Sequence, residues 1–101
     1  MKINFSKYNG AGNDFILIDD RENFINNNKL IINHLCDRHF GIGADGVIIM
    51  KKSNNCDFEI FHYTSDGNLG SLCGNGSRCA VLFAYDKGVI RRKTTFHAFD
   101  G

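Results

Sequence analysis

One stretch limits the possible folds more than any other: Ser71-Leu72-Cys73-Gly74-Asn75-Gly76-Ser77-Arg78-Cys79. A Gly-Asn-Gly turn is followed by apolar residues at helical spacing, Cys79, Leu82 and Phe83, with Ala80 and Ala84 between them. A helix is expected to begin here. The first N–H groups of a helix have no internal partner and point outward. Glycines let that backbone approach a ligand closely, and the helix dipole favours an anion there. A thiol in the same field ionises below the ~8.5 of a free cysteine. Cys73 therefore reads as a thiolate beside a seat for a carboxylate or phosphate, suited to act as base or nucleophile on a small anionic substrate. The plainer alternative stands beside it, since a lone cysteine is usually a small buried hydrophobe and Gly-Asn-Gly usually a turn. Three sharper motifs are absent. There is no Gly-Lys-Ser/Thr ending of a phosphate loop, and the glycines do not fit a dinucleotide fingerprint. Cys73 and Cys79 stand six apart, which is not zinc-knuckle spacing.

A chain of 101 residues holds one domain at most, with a modest core. Its apolar fraction of 43% and charged fraction of 23% are those of an ordinary globular protein. The net charge of +1 favours neither nucleic acid nor an acidic membrane as partner. Arg91-Arg92-Lys93 is the one basic run and reads as a solvated edge. No apolar run approaches the ~20 residues of a membrane span, and Met1 to Ser6 lacks the apolar core of a signal peptide. The expected setting is cytoplasmic, with Cys36, Cys56, Cys73 and Cys79 as free thiols.

Taken in order, residues 2–8 alternate as a strand, and Asn9 to Asp14 is a glycine-bearing turn. Phe15-Ile16-Leu17-Ile18-Asp19 completes a hairpin as a buried strand. Asn13 and Asp14 read locally as turn chemistry. Asn27 or Asn28 is expected to cap a helix from about Lys29 to His39, with Leu30, Ile31, Leu35 and Cys36 on its apolar face and His39 as a structural cap. Gly41 to Gly46 is a second glycine loop, and Val47-Ile48-Ile49-Met50 a short buried strand. Residues 58–63 alternate, with His62 packing on one face and no second ligand at metal spacing. Thr64 to Asn68 is a turn. The helix after Cys73 ends near Lys87, with Gly88 as its left-handed cap. Residues 93–99 alternate as a last strand, and Asp100-Gly101 is a turn signal that reads as awaiting a hairpin partner, as if the chain were cut. Strands dominate, with two helices, an α+β arrangement.

The glycine loops, in this order and spacing, resemble diaminopimelate epimerase. The matching segments are Phe5 to Phe15, Asp37 to Gly46, Ser65-Asp66-Gly67, Cys73 to Cys79 and Thr95 to Gly101. The resemblance implies two similar domains, each a mixed or antiparallel sheet wrapped round a central helix, with the active site in the cleft between them. This chain would be the N-terminal one, residues 1–101, incomplete and without its C-terminal half. The implied reaction converts LL-diaminopimelate to the meso form, for lysine and cell-wall synthesis, with no pyridoxal phosphate or other cofactor and no metal. Two cysteines work across the substrate, one as thiolate base and the other as thiol acid.

By motif match Cys73 is the first catalytic cysteine, and Gly74 and Asn75 bind the substrate carboxylate through backbone amides. The resemblance implies that Asn13 touches the substrate, which overrides its reading as a plain turn residue, and that Gly46 lies at a substrate-adjacent loop position. Thr64 stands where the family usually has an asparagine that binds the substrate's far end; threonine offers a hydroxyl but is shorter and lacks the amide. The second catalytic cysteine belongs to the family's other half, and Cys36, Cys56 and Cys79 do not replace it, so the isolated chain is expected to be inactive. The implied partners are the small-molecule substrate and the missing C-terminal domain, and a homodimer is allowed. Two rivals remain: a proline-racemase-like enzyme with the same two-thiol chemistry, and a degenerate binding module without catalysis. The thiols give the first test. Alkylation of each cysteine against pH, followed by peptide mass spectrometry, is expected to show Cys73 reacting as a thiolate well below Cys36, Cys56 and Cys79; an ordinary titration of Cys73 would contradict a helix terminus acting on it.

Overall fold

The computed structural model describes residues 5–10, 12–22, 29–54, 56, 58–70, 74–88 and 96–99. Among them run β1 (Ser6–Gly10), β2 (Asn13–Asp19), α1 (Lys29–Cys36), β3 (Gly46–Lys51), β4 (Phe58–Thr64), α2 (Gly74–Asp86) and β5 (Phe96–Phe99). The strands form one sheet in chain order, β1-β2-β3-β4-β5. β1 with β2 and β3 with β4 are antiparallel; β2 with β3 and β4 with β5 are parallel. This is the expected α+β class with a mixed sheet.

Each parallel pair needs a crossover, and each helix supplies one. Both crossovers step the same way across the sheet, but β4 runs opposite to β2. Two crossovers of the same hand must then lie on opposite faces. The core divides accordingly. Phe15, Leu17, Ile48, Met50, Phe58 and Ile60 pack with Cys79, Ala80, Phe83 and Ala84 of α2. Ile16, Ile18, Val47, Ile49 and Tyr63 pack with Ile32 and Cys36 of α1. Alternate side chains of one strand thus enter different clusters. The runs Phe15 to Ile18 and Val47 to Met50 are buried on both sides, as parallel strands covered by helices on both faces require.

The hairpin is tighter than expected. Gly10 pairs with Asn13, so Asn9, Asn13 and Asp14 stand in the ladder and only a two-residue loop remains. Gly12, at φ +100, supplies the left-handed backbone such a loop needs. At the other end of α2, Gly88 has φ +74 and its N–H bonds to the Tyr85 carbonyl, the expected left-handed cap. The Tyr8 hydroxyl donates to the Asp86 carboxylate, fastening that end of α2 to β1.

Several expectations fail in detail. α1 stops at Cys36, three residues early, because Asp37 folds the chain back: its carboxylate accepts from the N–H groups of His39 at 2.7 Å and Phe40 at 3.0 Å. The amides of Ile42 and Gly43 then both reach the Leu35 carbonyl at 3.0 Å, and Ala44 that of Cys36 at 3.2 Å, satisfying the helix end. His39 is therefore a turn residue and not a helix cap. Leu30 is 78% exposed, and Ile32 takes its place on the buried face with Cys36 one turn on. Leu82 is 51% exposed, so Cys79, Ala80, Phe83 and Ala84 carry the burial of α2. β5 pairs with β4, in parallel. The expected Asn27 or Asn28 cap, the start of each terminal strand, Arg91-Arg92-Lys93 and the Asp100-Gly101 turn lie outside the described residues.

The division of the core predicts unequal costs. Phe83→Ala removes a ring that is 1% exposed and is expected to cost about 3–5 kcal/mol in denaturant unfolding. Leu30→Ala is expected to stay within about 0.5 kcal/mol.

Candidate active site

Strand register brings three of the sequence-predicted residues, Asn13, Gly46 and Thr64, to one end of the sheet. Gly46 opens β3 between Phe15 of β2 and Thr64 of β4. Asn13, the first residue of β2, lies just beyond Phe15 at the same end of the sheet. Past Thr64 the chain turns back, Leu69 bridging Tyr63 and the Gly70 N–H donating to the His62 carbonyl at 2.8 Å. It enters α2 at Gly74 soon after, so Gly74 and Asn75 occupy the first turn of that helix, as expected. Cys73 and the Asn75 side chain lie outside the described residues.

The loop glycines here are set by packing. A Cβ on Gly46 would stand 2.8 Å from the Tyr63 carbonyl oxygen and 2.9 Å from His62 Nε2; one on Gly70 would stand 2.7 Å from Thr64 Cγ2. The His62 ring is 8% exposed and lies edge-on to Phe15 at 5.7 Å. It is a face-packing residue, as its place in an alternating strand suggests. The Thr64 hydroxyl is engaged in its own turn, with the Asp66 carboxylate and, at 3.2 Å, the Asn68 carbonyl. A ligand at Thr64 would compete with that turn.

A charged network that local sequence reading does not find stands at the same end of the sheet. Asp14 takes both nitrogens of the Arg38 fork, at 2.9 and 3.1 Å, and the Lys7 ammonium at 3.1 Å. Asp45 receives Arg38 at 3.3 Å on Oδ1. Its Oδ2 accepts the Asp14 N–H at 3.1 Å and the Asn13 Nδ2 at 3.3 Å. The Asp45 N–H donates to Asp14 Oδ1 at 3.0 Å, closing the ring. Gly43, at φ +85, lets the chain pass Arg38: a Cβ there would meet Arg38 Cα and Cγ at 3.2 Å. The signal was present as Asp37-Arg38 and Asp45 flanking a glycine loop, but the partner Asp14 is distant in sequence.

The electrostatics follow from these contacts. The Arg38 hydrogen bonds, against the opposing effect of burial, hold the Asp14 carboxyl well below the usual carboxylate range. Burial pushes the Cys36 thiol up to about 11, so Cys36 stays protonated and inert at neutral pH. No disulfide joins the described cysteines Cys36, Cys56 and Cys79. Among the described residues no three His, Cys, Asp or Glu side chains gather as a metal site requires, and no helix is long and apolar enough to cross a membrane.

Asp14 carries a pH prediction. A carboxylate depressed on folding adds stability above its unfolded pKa of about 4 and loses it as pH falls through the lower native value. Urea unfolding from pH 6 to pH 2 is expected to show this loss below about pH 4. In Asp14→Asn, stability at pH 6 should be lower and its dependence below pH 4 flatter; an unchanged slope would contradict the Asp14–Arg38 pairing.

The chain is similar to known proteins over nearly its whole length. The family described as Diaminopimelate epimerase matches residues 5–101. The diaminopimelate epimerase of Flavobacterium psychrophilum is 52% identical over 96 residues, covering 94% of this chain and 38% of the relative. That of Clostridium perfringens is 44% identical over 91 residues, covering 89% and 34%. The chain thus spans about a third of the length of the curated relatives it matches. Two solved structures share the fold at low identity: a Bacillus anthracis phenazine biosynthesis protein of the PhzF family (TM-score 0.71, 20% identical, 96% of this chain and 33% of that one) and a methylitaconate-delta-isomerase (TM-score 0.75, 14% identical, 99% and 32%). With residues 5–101, nearly its whole length, matched, the chain belongs to the diaminopimelate epimerase family.

Proposed function

We propose that this sequence supplies one half of the active site of a cytoplasmic enzyme that epimerises LL-diaminopimelate to meso-diaminopimelate. The observation that carries the reading is the meeting of Asn13, Gly46 and Thr64 at one end of the sheet, with Gly74 and Asn75 in the first turn of α2, which begins four residues on from Gly70. The Cys73 thiolate takes the α-proton: the C–H bond breaks, an S–H bond forms, and the electron pair spreads onto the α-carboxylate. The amides of Gly74 and Asn75 stabilise that charge, which grows as the proton leaves. A thiol on the opposite face returns a proton to carbon, and the configuration inverts. Neither pyridoxal phosphate nor a metal takes part in this scheme.

One cysteine cannot stand on both faces of a carbon, so the acid comes from the length that the relatives have beyond this chain. Cys36 does not serve, since its thiol is buried in the α1-side cluster, on the opposite face of the sheet from α2.

Conversion of LL-diaminopimelate by the full-length protein tests the reading. Cys73→Ala is expected to lower kcat by about 10²–10⁴-fold or more, and the 101-residue chain alone to show no turnover. Turnover by this chain alone that depends on Cys73, or full activity in Cys73→Ala, would overturn it.

A further inference from the structure

The Arg38–Asp45 pair has a geometry that bears on more than stability. Asp45 is a carboxylate and only accepts hydrogen bonds. Its Oδ2, 3.3 Å from the Asn13 Nδ2, therefore fixes which end of that amide faces it. The nitrogen is turned toward Asp45, and the amide oxygen is directed away from that carboxylate. Asp45 is itself held from two sides, by the Arg38 guanidinium at 3.3 Å on Oδ1 and by the Asp14 N–H at 3.1 Å on Oδ2. Arg38 is fixed in turn by its two-nitrogen grip on Asp14, which Lys7 also holds. An amide left to itself presents either end with little preference, because its two ends differ in hydrogen-bonding sense but hardly in shape.

We propose that Arg38 and Asp45 are positioning residues for substrate recognition, acting through Asn13 by locking the orientation of its side-chain amide. The proposal rests on the reading of Asn13 as a substrate contact. It adds two residues that touch no substrate yet set how that contact is made. Contacts of this outer kind, which orient a binding group, commonly cost tenfold or more when lost at metal sites, and a hydrogen-bonded amide follows the same logic. Charge alone does not meet the requirement. Arg38 reaches Asp14 with two nitrogens and Asp45 with one of them, a planar fork that a lysine cannot reproduce.

A double-mutant cycle in the full-length protein tests this, reading kcat/KM for LL-diaminopimelate. Asn13→Ala is expected to lower it by about tenfold or more, the effect of losing a hydrogen bond to a charged ligand. Asp45→Asn, which keeps the shape but adds a competing donor, is expected to lower it by about threefold to tenfold. In the Asn13→Ala background, Asp45→Asn is expected to add less than about a twofold further loss, because the group it positions is gone. Arg38→Lys, run through the same cycle, carries the test if Asp45→Asn does not yield folded protein. Equal factors from Asp45→Asn with and without Asn13→Ala would mean a merely structural role and overturn the proposal. A strong effect of Asn13→Ala with none from Asp45→Asn or Arg38→Lys would overturn it while leaving the Asn13 contact intact. No effect of Asn13→Ala would remove the contact itself and the proposal with it.

Discussion

Burial of β2 and β3 on both faces is the constraint on which the rest depends. Ile16, Leu17, Val47 and Ile49 are fully enclosed. A sheet with apolar side chains pointing both ways must be covered on both sides. Here each cover is a crossover helix, and the sequential strand order together with the antiparallel turn between β3 and β4 sends the two helices to opposite faces. α1 and α2 are short elements of 8 and 13 residues. Elements of that length draw most of their stability from the face they bury.

The candidate site is a by-product of that arrangement. Parallel β2 and β3 begin at the same end of the sheet, and β4, antiparallel to them, finishes there. Three loops therefore converge: the hairpin before Asn13, the glycine loop before Gly46 and the turn after Thr64. The last of these leads into α2. Glycine is demanded at this end by close packing, since His62 and the Tyr63 carbonyl occupy the space a side chain on Gly46 would need. The charged ring of Lys7, Asp14, Arg38 and Asp45 ties the first loop to the second. Half-exposed pairs of this kind add little stability one by one; joined in a ring, they hold two loops in fixed relation.

What could be read from sequence was what local physics decides. The apolar runs at Phe15 and Val47, the alternation from Phe58 and the left-handed Gly88 are each set by neighbours in the chain. What could not be read depends on partners far away. The facing of α1 hangs on which of Leu30 and Ile32 meets the sheet, and both fit a helical stripe. Its early end at Cys36 follows from the Asp37 side chain capturing the amides of His39 and Phe40 in place of another helical turn. Asp14 looked like a turn residue until its partners Arg38 and Asp45 came beside it. The resemblance to the family pointed to Asn13 and Gly46, where local reading saw only turn chemistry.

Under the proposed function, inversion uses two different groups on opposite faces of the α-carbon, with this chain supplying one of them. Hydrogen exchange with solvent tests that most directly. The full-length protein would be incubated with LL-diaminopimelate in deuterium oxide, and early product and remaining substrate analysed for deuterium at the α-carbons. A thiolate that removes the proton and a separate thiol that delivers a solvent-derived one predict one deuterium at the inverted carbon of the product while the remaining substrate is still unlabelled. Equal labelling of substrate and product from the start would mean that one group serves both faces, and would contradict the proposed two-group inversion.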